Sequence, residues 1–254
     1  MDTIATVHAL LTMGAAAVSA GLGALWPRVA YRLAVPTGSA AIDACGCCLR
    51  RFPSGWRGWL SAGSRCPACR AQIAVAWWAV SGVAGAAAAA LAWRLPTAHP
   101  GQVVVLLAWL IFVHAGVLLS LVDVAAHRLP TPVISGTAVA DALLIGCGSL
   151  LAHRPWSILT AVAAAAVLGG VYLVLALVLP TQLGMGDVRL AALTGLILGA
   201  GGWAAVALGS VLPYLLGLPF NVAALKRSGP SRPRLVPFGP FLVAGAVITA
   251  VIAP

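Results

Sequence analysis

Two carboxylates and four cysteines are the side chains of this sequence best suited to chemistry. Asp123 and Asp187 each lie where a long apolar run meets a basic turn. The chain has five acidic residues, all of them Asp, so these two account for much of its negative charge. An ionisable group at the boundary of an apolar run is costly to hold there and is by default a hypothesis of a functional site.

Asp123 and Asp187 could form a catalytic pair if the elements that carry them meet. Two carboxylates a few ångströms apart cannot both ionise easily, so they would share a proton. One could then act as base on a water molecule while the other acts as acid on a carbonyl group, as in aspartic proteases. The alternative is structural, with each Asp capping a helix or pairing with a nearby Arg. Placement alone leaves both interpretations open.

The cysteines form two CxxC pairs, Cys45 with Cys48 and Cys66 with Cys69, separated by 17 residues. This is the spacing of a zinc ribbon, in which four thiolates complete a tetrahedral structural site. Disulfides are a poorer explanation if these cysteines lie in the cytoplasm, because that compartment is reducing. Redox pairing and unliganded thiols are the alternatives to zinc, and Cys47 is a further thiol that could replace one ligand.

The elements that must position these residues are apolar helices. Hydrophobic residues make up 61% of the chain and charged residues 8%, and the mean hydropathy is +1.03. These values lie outside the range of water-soluble folds and predict an all-α polytopic membrane protein with about eight transmembrane helices. The first run lacks the flanks of a cleaved signal peptide, so we expect it to be retained. Apolar runs of near-spanning length lie at residues 4–25, 73–93, 103–122, 132–152, 157–179, 188–200, 203–224 and 237–253.

The net charge of +10 predicts an orientation rather than nucleic-acid binding. With the amino terminus outside, 13 of the 15 Lys and Arg residues fall in inner loops, and only Arg94 and Arg154 fall outside. This asymmetry follows the positive-inside rule. It places Asp123 and Asp187 on the same, cytoplasmic side, and leaves contact with anionic membrane lipids as a secondary role of the basic residues.

The segment Gly184-Met185-Gly186-Asp187 resembles the GxGD motif of the type IV prepilin leader peptidases, a family of membrane aspartic proteases. Its glycines remove bulk beside the carboxylate and permit backbone geometry closed to other residues. The remaining segments that carry the resemblance follow the family's order along nearly the whole chain: residues 21–33, the paired-cysteine loop, Asp123 with His127-Arg128-Leu129-Pro130, Arg189 where a Lys is usual, and residues 237–242.

The resemblance implies the roles of individual residues. Asp123 and Asp187 would be the catalytic dyad, and Gly184 and Gly186 would shape the approach to it. The turn formed by Pro237, Gly239 and Pro240 would line the substrate channel, unless it is a simple helix cap. The implied substrate is a prepilin or pilin-like protein whose leader is removed at the cytoplasmic face of the bacterial inner membrane.

The resemblance also implies an organisation in three parts. Residues 1–25 would form the first transmembrane helix, residues 26–72 a zinc-binding cytoplasmic loop, and residues 73–254 a seven-helix peptidase domain. In bifunctional family members this loop belongs to a second activity, methylation of the new amino terminus with S-adenosylmethionine. The acidic residue that usually follows the loop is absent here, because the chain has no Glu. The resemblance therefore supports peptide cleavage more directly than methylation.

Two functions of other classes remain open on the sequence. A proton-coupled membrane transporter would use intramembrane acids as a relay and predicts internal inverted repeats, of which the sequence gives no sign. A zinc-stabilised membrane scaffold without catalysis predicts that Asp123 and Asp187 can be replaced without loss of function.

Overall fold

The computed structural model describes residues 2–36, 39–178, 183–227 and 236–253. Arg232 and Arg234, which the topology prediction places in an inner loop, lie outside these ranges. The described ranges contain two isolated β-bridges and the following helices: α1 (Asp2–Gly23), α2 (Trp26–Leu33), α3 (Trp56–Trp59), α4 (Trp77–Arg94), α5 (Pro100–Ala126), α6 (Thr131–Leu151), α7 (Trp156–Val178), α8 (Met185–Gly199), α9 (Trp203–Arg227) and α10 (Gly239–Ile252).

Each of the eight apolar runs coincides with a helix, but five of these helices are long and apolar enough to cross a membrane. They are α1, α5, α6, α7 and α9. The all-α, membrane-like architecture is therefore confirmed, whereas eight spans are not. Helix α8 shows the physical reason, because its 15 residues extend only about 22 Å at 1.5 Å per residue. Most of its residues are buried among neighbouring helices, so its apolar sequence reflects burial inside the bundle.

Helices α7 and α8 pack so closely that their backbones touch. A Cβ atom built on Gly195 of α8 would lie 2.5 Å from the Ala164 carbonyl oxygen of α7. One turn later, a Cβ atom on Gly199 would lie 2.6 Å from the carbonyl oxygen of Thr160. Two glycines four residues apart on one face allow this approach between membrane helices. The contact fixes α8 in the bundle and thereby fixes the position of Asp187 at its start.

Helix α2 was not expected, because residues 26–72 were predicted to form a loop. One face of α2 packs on α5, where Val29 contacts a cluster that contains Leu118 and Val122. The indole Nε1 of Trp26 donates a hydrogen bond to Nδ1 of His114 in α5, at 3.0 Å. The cysteine-bearing segment is thus joined to α5 immediately before the residue Asp123.

Candidate active site and metal centre

Asp123 lies in the last turn of α5 and is 6% exposed. Its Oδ2 atom accepts a hydrogen bond from the backbone N–H of Gly239 at 3.0 Å. Because Gly239 is the first residue of α10, the carboxylate caps the amino end of that helix, where the helix dipole favours negative charge. His127 ends α5 in a left-handed conformation and donates its backbone N–H to the Asp123 carbonyl oxygen at 2.7 Å.

Asp187 lies in the first turn of α8 and is half-buried. Its Oδ2 atom accepts a hydrogen bond from the backbone N–H of Gly184 at 3.0 Å, so it caps its own helix. Gly184 has φ −90° and ψ 158°, an extended conformation open to any residue. The conformational freedom of glycine is therefore not required at Gly184.

Leu129 brings the two acidic positions together. A Cβ atom built on Gly186 would lie 2.9 Å from Cβ of Leu129, and one built on Gly239 would lie 3.5 Å from its Cδ2 atom. Leu129 therefore sits between the amino ends of α8 and α10. The carboxylates of Asp123 and Asp187 come within electrostatic range of each other there. Both also cap helices, so the arrangement combines the features of the catalytic and the structural interpretations.

The predicted substrate turn is the cap of α10. Phe238 is the N-cap residue, and Gly239 is the member of the turn that contacts Asp123. Pro240 instead lines an apolar groove of about 420 Å³ between α4, α5 and α10. The groove also includes Leu121, two residues before Asp123. Within this turn, Gly239 therefore contacts the Asp123 carboxylate, whereas Pro240 faces the adjacent groove.

An aromatic cluster beside the carboxylates was missed by the sequence reasoning. The rings of Tyr172 in α7, Tyr214 in α9 and Phe238 have centroids 5.3 to 6.3 Å apart. Tyr172 is 2% exposed, and its hydroxyl has no hydrogen bond of normal geometry among the described residues. That hydroxyl interacts electrostatically with Tyr214 and Asp187. No local signal could have revealed the cluster, because its members come from three separate elements.

Arg189 was noted in the sequence as standing where the resembled family usually has a Lys, but no partner was predicted for it. In the structure, Nη1 of Arg189 donates a hydrogen bond to Oγ1 of Thr131 at 2.9 Å. The bond joins the first residue of α6 to the fifth residue of α8, two residues after Asp187. This hydrogen bond connects α6 and α8 at the edge of the candidate site.

Asp141 is a further buried acid, to which the sequence reasoning gave no role. It lies in α6, is fully buried, and neither of its carboxylate oxygens has a hydrogen-bond partner among the described residues. A buried carboxyl group without a partner is expensive unless it is protonated. Asp141 thus provides a natural comparison for the paired acids.

The four predicted cysteine ligands come together in two similar turns. In the first turn, the backbone N–H of Leu49 donates a hydrogen bond to the carbonyl oxygen of Cys45. In the second turn, the backbone N–H of Arg70 donates to the carbonyl oxygen of Cys66. Leu49 and Arg70 both have left-handed backbones, with φ of 58° and 57°. Non-glycine residues seldom adopt this conformation. Its occurrence at the same place in both CxxC pairs shows that the two turns have the same local backbone geometry.

The sulfur positions fit a tetrahedral metal site. The four Sγ atoms all lie within 4.8 Å of one another, and the pairs Cys45–Cys69 and Cys48–Cys66 are 3.8 Å apart. A tetrahedron with metal–sulfur bonds of about 2.3 Å has sulfur–sulfur edges of about 3.8 Å. A disulfide requires about 2.05 Å between sulfur atoms. The cluster could therefore hold a metal ion, and Cys47 is exposed outside it.

The four cysteine thiols cannot all ionise unless a cation binds to them. Backbone hydrogen bonds from Cys69 and Ala68 lower the pKa of Cys66 to about 6. At Cys69 a backbone hydrogen bond from Ala71 lowers the pKa, but burial and the neighbouring thiols together raise it to about 12. Thiolates gathered this closely titrate in separate steps. A divalent metal would supply the positive charge that permits the last deprotonations.

Arg28 supplies positive charge beside the cluster. Its guanidinium group donates to Oγ of Ser61 at 2.8 Å and to the Arg65 carbonyl oxygen at 3.4 Å, and it interacts electrostatically with Cys66. Arg28 is only 4% exposed. A divalent metal with four thiolates carries a net charge of −2, so a buried guanidinium group beside it is electrostatically favourable. The same bonds fasten α2 to the cysteine turns.

Metal binding is expected to weaken as the pH falls. Each ligand must be a thiolate, so protons compete with the metal, and in the metal-free chain even Cys66, with its pKa lowered to about 6, becomes protonated below that pH. The purified chain loaded with zinc should hold the ion at pH 8 and release it to a chelating dye as the pH falls below 6. Affinity that does not change between these values would contradict thiolate ligation.

Comparison of the chain with known protein families, characterised proteins and solved structures finds no match. The geometry described above, rather than a relative, must therefore support any functional assignment. It comprises two interacting carboxylates at the amino ends of buried helices and a separate site that could hold a metal ion.

Proposed function

We propose that this protein is a membrane aspartic endopeptidase that removes the leader from type IV prepilins or pilin-like proteins. The observation that carries the proposal is that Asp123 and Asp187 come from different helices that meet around Leu129, where the two carboxylates interact electrostatically. The proposed location is the bacterial inner membrane, with both carboxylates on the cytoplasmic side. The distribution of basic residues in the sequence supports this orientation.

The proposed reaction is hydrolysis by an activated water molecule, without a covalent intermediate. One carboxylate of the pair takes a proton from water, and the resulting hydroxide attacks the scissile carbonyl carbon. The other, protonated carboxyl donates a hydrogen bond to the carbonyl oxygen. The carbon–nitrogen bond then breaks, and the leaving amine takes up a proton from the pair. The Gly239 N–H holds Asp123 in place throughout.

The apolar groove beside Pro240 supports a membrane-embedded substrate. It lies between α4, α5 and α10 and is lined largely by aliphatic side chains, with Ser120 as a polar member. The apolar helix of a pilin-like protein could lie along it, while the leader reaches the carboxylates near Leu121. In this arrangement the scissile bond would come close to Gly239, where a side chain would collide with Asp123.

We assign the cysteine cluster a structural role and propose zinc as its metal. Four thiolates close the coordination sphere, which leaves no position for a catalytic water. The loop is short and polar, and metal binding would supply the folding energy that its few buried side chains do not. Methylation with S-adenosylmethionine stays a separate prediction of the family resemblance.

The proposal is tested by expressing the chain in bacterial membranes with a type IV prepilin. The expected result is a shift of the prepilin on a gel to the size of the mature protein, with a new amino terminus identified by mass spectrometry. The same mass measurement reveals whether a methyl group has been added. An unprocessed prepilin, beside a positive control processed by a known peptidase, would contradict the proposal.

Gly239→Ala is expected to lower the rate of leader removal without unfolding the protein. A Cβ atom at this position would lie 2.9 Å from Oδ2 of Asp123 and would displace the carboxylate. A misplacement of this kind costs about 10- to 100-fold in the catalytic rate. The rate is measured from the time course of the gel shift in membranes that contain equal amounts of each variant.

Gly136→Ala is the matched control for Gly239→Ala. Nothing lies within 4 Å of a Cβ atom built on Gly136, so the added methyl group meets open space. This control should cleave at the wild-type rate. If both alanine variants cleave at that rate, Gly239 does not set the position of the catalytic group.

A proton-coupled carrier is the second candidate function, because Asp141 is a buried acid without a partner among the described residues. A proton relay through the bundle would require Asp141 in addition to the paired acids. The endopeptidase requires only the pair. Asp141→Asn therefore separates the two functions.

A further inference from the structure

A cavity of about 670 Å³ opens at the end of the bundle opposite the two carboxylates. It lies where α4 and α6 end and where α5 and α7 begin, and Gly101 in the first turn of α5 forms part of its wall. The 22 residue steps from Gly101 to Asp123 correspond to about 33 Å along α5 at 1.5 Å per residue. The cavity is thus separate from the proposed active site, and no function described above uses it.

The mouth of the cavity is basic. Arg94, His99 and Arg154 line it, and both arginines are exposed. The Nε atom of Arg94 donates a hydrogen bond to the Val251 carbonyl oxygen at 2.7 Å, which fixes the guanidinium group without using its two terminal nitrogens. No acidic residue is among the described residues that line the cavity. The mouth therefore presents positive charge, and no counter-ion is found among the described residues that line it.

The floor of the cavity is apolar and belongs to the protein core. Trp109, Leu198 and Ala250 contribute to it, and they are 5%, 1% and 4% exposed in the folded chain. A ligand that fills the cavity must therefore place an apolar part against this floor and a negatively charged part at the mouth. Cavities of this size are typical of sites for small organic ligands.

Arg94 and Arg154 are also the two basic residues that the positive-inside rule leaves unexplained. They are 60 positions apart in the sequence and are the only Lys or Arg residues that the topology prediction places on the outer side. Their convergence on one cavity gives a physical reason for their presence. Two guanidinium groups are well suited to a phosphate group, which they can bind through paired hydrogen bonds.

We propose that this cavity binds an anionic, phosphate-bearing amphiphile of the acidic phospholipid class. Arg94 and Arg154 bind the phosphate at the mouth, and an acyl chain covers Trp109 and the neighbouring apolar floor. A free phosphate or glycerol phosphate shares the charged group but lacks the part that the floor accepts. This site is independent of peptide cleavage and of the metal centre.

The test uses the full chain in a neutral detergent after removal of bound lipid. Phosphatidylglycerol, phosphatidylcholine and glycerol phosphate are titrated separately, and binding is followed by native mass spectrometry. We expect saturable binding of one phosphatidylglycerol per chain at this site, with weaker binding of phosphatidylcholine and of glycerol phosphate. The double variant R94Q/R154Q should weaken phosphatidylglycerol binding by at least about tenfold.

Matched variants distinguish the cavity from general charge effects. R50Q/R70Q removes the same charge from exposed arginines of the cysteine-bearing loop and should change the affinity by less than about twofold. R154Q alone leaves the bond between Arg94 and Val251 intact, so a loss of affinity in a folded R154Q chain supports a direct contact.

Equal affinity of the wild type and R94Q/R154Q would overturn the proposal, as would equal weakening by R50Q/R70Q. Equal affinity for phosphatidylcholine would exclude recognition of the anion, and equally tight binding of glycerol phosphate would exclude the acyl chain.

Discussion

Asp123→Asn and Asp187→Asn are each expected to lower leader removal by at least about 100-fold, because each substitution removes a group that must exchange protons during hydrolysis. Asn is nearly the same size as Asp and keeps an oxygen that can accept the bond from Gly239 or Gly184. The helix caps should therefore survive in both variants. The loss is measured from the time course of prepilin processing in membranes with equal amounts of each protein.

Asp141→Asn is the matched control, because it makes the same chemical change at another buried acid. Asp141 is not part of the pair, so this variant should cleave within about twofold of the wild-type rate. Processing that persists in Asp123→Asn or Asp187→Asn would refute the catalytic pair. Processing lost equally in all three variants would show that buried acids are needed for folding or for a proton path rather than for cleavage.

The positions of Asp123 and Asp187 were accessible to sequence reasoning because each follows or precedes an apolar run. Hydropathy places such residues at the ends of apolar helices, and the structure has Asp123 in the last turn of α5 and Asp187 in the first turn of α8. The identity of the contacts was not accessible. That Gly239 donates to Asp123, and that Leu129 lies between α8 and α10, depends on how helices far apart in the sequence pack together.

The number of spans illustrates a different limit. An apolar stretch such as α8 has the same composition whether lipid or protein surrounds it, so hydropathy alone cannot distinguish a span from a short helix that is buried in the bundle. The amphipathic helix α2 was missed for the opposite reason. Its arginines, Arg28 and Arg32, suggested a polar loop, but both are buried and Arg32 lies 4.0 Å over the ring of Trp59.

The cysteine cluster was the most predictable part of the molecule, because metal-ligand spacing is a local property of the chain. Two CxxC pairs define which sulfur atoms converge, and the structure brings the predicted four together. The connection of this cluster to the candidate catalytic site was not predictable. It runs from Arg28 through α2 to Leu118 and Val122 of α5, next to Asp123.

Cys66→Ser is expected to abolish zinc binding, whereas Cys47→Ser should retain one zinc ion per chain. Cys66 is a buried member of the four-sulfur cluster, and serine is a poor ligand for zinc because its hydroxyl stays protonated. Cys47 is exposed and lies outside that cluster, so its replacement is a matched change in the same loop. Zinc content is measured by elemental analysis of the purified chains.

The same pair of variants tests whether the metal is structural. Without zinc, residues 39–73 should become sensitive to protease, because the two cysteine turns lose the ion that joins them. Leader removal should fall by less than in Asp123→Asn, since the connection through α2 supports α5 but carries no reacting group. Stoichiometric zinc in Cys66→Ser would refute the ligand set. Cleavage abolished as fully as in Asp123→Asn, in a chain whose membrane helices remain folded, would instead place the metal in the reaction.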